Sequence, residues 1–158
     1  RQRQMCIRDR ERREMFPMKI KMIYSNFDEN TGISEVTIMT DIGEFKGTSK
    51  LHEEDRNISS HFAGCRYAEM KAIIKYMKQK IKNIQMQIKG LEDFQSNLAT
   101  RADYNYNSIE NSKARRRIFE LKKQIISWNK KIDSLTARML DMMTQREEII
   151  KTIRKDDK

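Results

Sequence analysis

The sequence is poor in the residues that interrupt regular structure: 158 residues contain a single proline and only five glycines. Long helices are therefore permitted, because proline and glycine are the residues that most strongly oppose a helix interior. No apolar run approaches the roughly 18 residues that would span a bilayer, and no apolar stretch follows the basic N-terminus as a secretory signal requires. On these absences the expectation is a cytoplasmic chain. Two cysteines, Cys6 and Cys65, make no disulfide framework. His52 and His61 are nine residues apart with no further ligand at metal spacing. Gly32, Gly43, Gly47, Gly64 and Gly90 are too scattered for a phosphate loop. No Ser-His-Asp or Cys-His set can be assembled. The expectation is a protein that is not an enzyme and needs neither metal nor cofactor.

What the chain has in quantity is charge. Charged residues make up 35% and the net charge is +10, which favours polyanionic partners such as nucleic acid, nucleotide phosphates or acidic surfaces. Arg1 to Glu14 hold six Arg against three acids with no apolar periodicity. As protein this would be a disordered basic arm that touches nucleic acid. The stretch Gln4-Met5-Cys6-Ile7-Arg8-Asp9-Arg10 is also similar to the translation of a transposon end from shotgun sequencing libraries. On that reading residues 1–17 are a non-native leader and translation starts at Met18, or at Met15. Removing the leader's +3 leaves about +7, still basic.

From Met18 to Tyr24, Lys19 and Lys21 alternate with Ile20, Met22 and Tyr24, the period of a half-buried strand. Turn residues Asp28-Glu29-Asn30-Thr31-Gly32 follow, and alternation resumes from Ile33 to Thr40 with β-branched side chains. Asp41-Ile42-Gly43 suits a tight hairpin, leading to a third strand over Glu44 to Leu51 that Gly47 weakens. The expectation is a three-stranded antiparallel meander over residues 18–52. Its open edges must pack on helices or pair with a second copy, which favours a dimer.

After a polar connection a helix is expected over residues 59–98, opened by Ser59 or Ser60 as cap. Met70, Ile74, Met77, Ile81, Ile84, Ile88, Leu91 and Leu98 step by fours and threes, with Gln95 as the polar interruption. Ala99 to Asn111 lacks a seam and reads as the turn. A second helix over 112–156 carries Ala114, Ile118, Leu121, Ile125, Trp128, Ile132, Leu135, Met139, Met142, Ile149 and Ile153, interrupted at Arg146. Met139, Met142 and Met143 read as core filler ahead of an adaptable binding face. Two seams joined by a turn predict an antiparallel coiled-coil hairpin. The whole is a single α+β domain over residues 18–158.

Two features point to binding. Gly64 and Ala68, four apart, would let another backbone or a ligand approach the first helical turns, with packing on the sheet the plainer explanation. The second helix opens with Lys113, Arg115, Arg116 and Arg117, of which Lys113, Arg116 and Arg117 project away from the seam. Guanidinium groups pair bidentately with phosphate, and Phe94, Arg101, Tyr104, Asn105, Tyr106 and Asn107 surround the patch with groups that stack bases and hydrogen-bond their edges. A solvated helix face is the competing explanation.

The order of parts resembles the phage anti-Thoeris protein 1 family of sponges. The likeness covers Met18 to Lys158 and rests on Gly43-Glu44-Phe45-Lys46-Gly47-Thr48-Ser49-Lys50-Leu51-His52, Glu54-Asp55, Ser60, Gly64, Ala68-Glu69 and the Arg115 to Arg117 cluster. The resemblance implies a homo-oligomer built from dimers, such as a hexamer, that sequesters cyclic ADP-ribose isomers without cleaving them. It acts in the host bacterial cytoplasm during phage infection, so that the Thoeris effector is not activated. It also implies binding of cyclic oligonucleotides of the related CBASS immunity at a separate arginine-lined site. On this reading Phe94 stacks the nucleotide, Asn105 or Asn107 hydrogen-bonds it, Arg116 or Arg117 with Lys113 meets phosphate, and Arg101 is a further ligand-binding candidate. The alternative is an oligomeric coiled coil with a structural or nucleic-acid-binding role.

Overall fold

The computed structural model describes residues 19–50, 61–100 and 108–156. The chain runs β1 (Ile20–Asp28), β2 (Ile33–Thr40), β3 (Glu44–Lys50), α1 (His61–Ala99) and α2 (Ile109–Asp156). It is the expected α+β layout, an antiparallel sheet in the order β1-β2-β3 followed by a two-helix hairpin. Residues 1–17, with the leader, and the connection holding Ser59 and Ser60 lie outside the described residues.

The turns explain the strand ends. Asp28, expected to open the turn, still pairs with Ile33, so β1 runs four residues past Tyr24. Its carboxylate organises the reversal by accepting the Asn30 amide at 3.0 Å and the Thr31 hydroxyl at 2.8 Å. Those two donors, the hydroxyl first, hold the Asp28 carboxyl below its ordinary value. Gly32 closes the turn at φ 66°. At the next turn the Thr40 amide and hydroxyl both donate to the Gly43 carbonyl, at 2.9 and 2.8 Å.

Two compact units follow from the contacts, one of residues 1–76 with 135–158 and one of residues 77–134. In the first, alternation along β2 turns Ser34, Val36, Ile38 and Thr40 inward, all buried. Against this face α1 presents Ala68, Ala72, Ile73 and Tyr76, also buried. Small residues at Ala68 and Ala72 let the helix meet the strand closely, and a Cβ on Gly47 would collide with the Ala68 carbonyl. The close approach proposed for Gly64 and Ala68 is thus sheet packing, since Gly64 faces the Ser34 side chain. The glycine that weakens β3 as a strand is what admits the helix.

Along the outer edge of β3, Lys71 donates to the Thr48 carbonyl at 3.0 Å and Lys75 to the Lys46 carbonyl at 2.7 Å. The helix therefore covers an edge that would otherwise template further strands. Between the sheet and α1, the Phe45 and Tyr76 rings meet edge to face at 5.6 Å. The Tyr76 hydroxyl donates to Asp41 at 3.1 Å, and burial, then the Asp41 contact, pushes its pKa up to about 12.

In the second unit Ile84 and Ile88 of α1 form a core with Ile118 and Leu121 of α2, joined by half-buried Leu91, Ile125 and Trp128. These are the predicted seam residues, and fully burying each such aliphatic contributes about 1.5–3 kcal/mol. Lys122 pairs with Glu92 at 3.7 Å, while Gln95 donates to Asn111 at 2.6 Å. One contact moves toward the C-terminus of α2 as the other moves toward the N-terminus of α1, so the helices are antiparallel.

Candidate functional site

The second helix begins at Ile109, three residues before the expected start, because Ser108 supplies the cap: its hydroxyl accepts the Asn111 amide at 3.3 Å. This earlier start brings Asn111 onto the helix and into the seam, where it is 1% exposed. The polar interruption at Gln95 is thereby partnered. Sequence reasoning placed Asn111 in the turn, and the pairing of one amide in each helix was the signal that could have moved it.

Of the seven predicted site residues, four are described and three, Arg101, Asn105 and Asn107, lie outside the described residues, as do Tyr104 and Tyr106. Phe94 is 41% exposed on the last turns of α1. Lys113, Arg116 and Arg117 are exposed on the first turns of α2, as expected from their positions off the seam. Arg115 is half-buried and belongs to the flank of the helix pair, not to the outward fork.

The register shows which of these come together. Glu92 and Lys122 each stand one residue after a seam leucine, and their ion pair marks one flank of the hairpin. Phe94 stands one residue before the seam position Gln95, and Arg117 one residue before Ile118. Both therefore line the opposite flank of the helix pair. Lys113 and Arg116 lie further round α2, facing outward.

Glu120 is the acid among these cations. It sits 3.6 Å from Arg116 Nε and 3.6 Å from Arg117 Nη1, one carboxylate shared by two guanidinium groups. Exposed pairs of this length contribute about 0–1 kcal/mol each. A phosphate accepts short bidentate bonds from a guanidinium as a carboxylate does.

Among the described residues no cluster of three or more His, Cys, Asp or Glu could hold a metal ion, and no helix is long and apolar enough to cross a membrane. A depression lined by Gln145, Glu148, Ile149 and Thr152 lies on a single face of α2 and opens to solvent, which makes it a poor ligand cavity. Comparison with protein-family models, curated proteins and solved structures returns no match.

Proposed function

We propose that this chain is a viral anti-defence sponge. It binds cyclic ADP-ribose-type signals at the turn end of the helical hairpin and holds them without cleavage, in the host bacterial cytoplasm, so that a Thoeris effector is not activated. Cyclic oligonucleotides of CBASS immunity are its second ligand class. The observation that carries the reading is the placement of exposed Phe94 and Arg117 on one flank of the hairpin, with Arg116 and Lys113 further round α2. An exposed aromatic ring next to guanidinium groups offers a face for a base and forked donors for a phosphate. Sequestration is completed in a homo-oligomer built from dimers, such as a hexamer, where copies share a ligand. The exposed outer face of the sheet, with Met22, Tyr24 and Met39, supports such association.

A depletion assay tests the proposal. The chain is mixed with cyclic ADP-ribose isomers and filtered, and the filtrate is assayed before and after heating. Sequestration predicts loss of ligand from the first filtrate and its intact return after denaturation. Full recovery before heating would refute binding, and return of an altered molecule would indicate an enzyme.

A further inference from the structure

Charge is distributed unevenly along the chain. Residues 77–134 hold thirteen Lys and Arg against six Asp and Glu, a net of +7. Residues 1–14 carry +3, and the remainder, with fourteen of each sign, is neutral. The whole excess outside the leader thus sits on the second unit.

We propose that the outward face of α2 between Arg116 and Lys130 is a track for single-stranded nucleic acid. Arg116, Lys123 and Lys130 recur every seven residues, so they form one row on the side of α2 away from its seam. At 1.5 Å per residue they are about 10.5 Å apart and span about 21 Å. All three are exposed. Beside the row stand Phe119 and Ile126, 59% and 57% exposed, and Lys123 Nζ lies 4.5 Å from the centroid of the Phe119 ring. Cations that follow a phosphate backbone, interleaved with an exposed ring that can stack a base, are the elements of sequence-tolerant single-strand binding.

The same residues argue against two other polyanions. A duplex buries its bases in the stack and leaves Phe119 and Ile126 unused. An anionic membrane needs a broad apolar helix face, but the apolar face of α2 is already packed on α1 through Ile118 and Leu121. Glu120 and Asp133 on the outward side further dilute any lipid-facing stripe.

The track shares Arg116 with the cyclic-nucleotide site, but Phe119, Lys123 and Lys130 belong to the track alone, so variants at those three positions test it without touching that site. The test is fluorescence anisotropy of a labelled oligothymidine of about a dozen nucleotides with the full chain, titrated with salt. Three phosphate contacts predict a slope near −2 in log K against log salt, a weakening on the order of 20-fold between 50 and 200 mM. In Lys123→Gln/Lys130→Gln one contact remains, and the same change in salt should weaken binding only roughly 3-fold. Phe119→Ala should lower affinity about 5-fold or more while leaving the salt slope unchanged. An unchanged unfolding midpoint in the variants keeps these readings interpretable. Absence of binding at low salt would overturn the proposal, as would equal slopes for wild type and the double lysine variant. Tighter binding to a duplex of the same length, or to phosphatidylserine vesicles, would overturn it too.

Discussion

Gln95 on α1 donates its side-chain amide to Asn111 on α2 at 2.6 Å, in a stretch of seam whose neighbouring positions are apolar. Because Asn111 is almost wholly removed from water, the pair is satisfied only in this register, and a slip of one heptad would strand both amides among apolar side chains. Asn111→Ala should cost about 1–3 kcal/mol of stability, read from urea unfolding followed by helicity. A neutral result would show that Gln95 finds water instead.

Gly47 and Gly90 make opposite predictions. Gly47→Ala drives a methyl group into the Ala68 carbonyl and should destabilise the sheet unit by more than about 2 kcal/mol. Gly90 lies within α1 with nothing within 4 Å of an added Cβ. Gly90→Ala should therefore stabilise by about 0.5–1 kcal/mol. Thermal unfolding of the two variants side by side checks both signs.

Lys71 and Lys75 cover the edge of β3 through the Thr48 and Lys46 carbonyls. The double variant Lys71→Ala/Lys75→Ala should expose those carbonyls and promote concentration-dependent self-association. Light scattering across a dilution series measures this, with wild type giving the baseline mass.

Tyr76 predicts an alkaline limit to stability. Its hydroxyl titrates at about 12 in the folded chain against 10.0 for an ordinary tyrosine, chiefly because it is buried. Below pH 10 both folded and unfolded states keep the proton. Between 10 and 12 the unfolded chain loses it first, so stability falls as pH rises through that window. The stability advantage of wild type over Tyr76→Phe should shrink across the same interval, measured by urea midpoints.

At the turn end, Phe94→Ala and Arg117→Ala should each weaken capture of a cyclic ADP-ribose isomer by about tenfold or more, the loss of a stacking or bidentate contact. Both side chains lie outside the core, so the unfolding free energy should change by less than about 0.5 kcal/mol. Equilibrium dialysis alongside thermal unfolding separates a ligand contact from a packing role.

The strands and helices were legible because their signals are local. Alternation at Ile33 to Thr40 shows a half-buried strand, whereas at Ile20 to Tyr24 it shows a strand but inverts its faces: after an irregularity between Ile20 and Met22, Met22 and Tyr24 are exposed and Ile23 is the half-buried residue. The four-three steps from Met77 to Leu98 show the seam. The sheet-facing side of α1 was not legible. Ala68 and Ala72 carry too little side chain to register as a stripe, and their burial depends on Gly47, which is distant in sequence. The start of α2 was misplaced for a related reason. Asn111 reads as a turn residue until Gln95 is known to face it. For the site, the sequence marked Phe94, Lys113, Arg116 and Arg117 by chemical type, but Phe94 and Arg117 share a flank only through the register between two helices.

The sequence by itself determined the element types, the antiparallel hairpin and the uneven charge, since periodicity and charge are properties of neighbouring residues. Tertiary structure decided that Gly47 serves α1, that Lys71 and Lys75 close the β3 edge, and that Asn111 belongs to the seam. Each of these joins residues far apart in the chain, and burial and hydrogen bonding take their energy from what lies opposite in space.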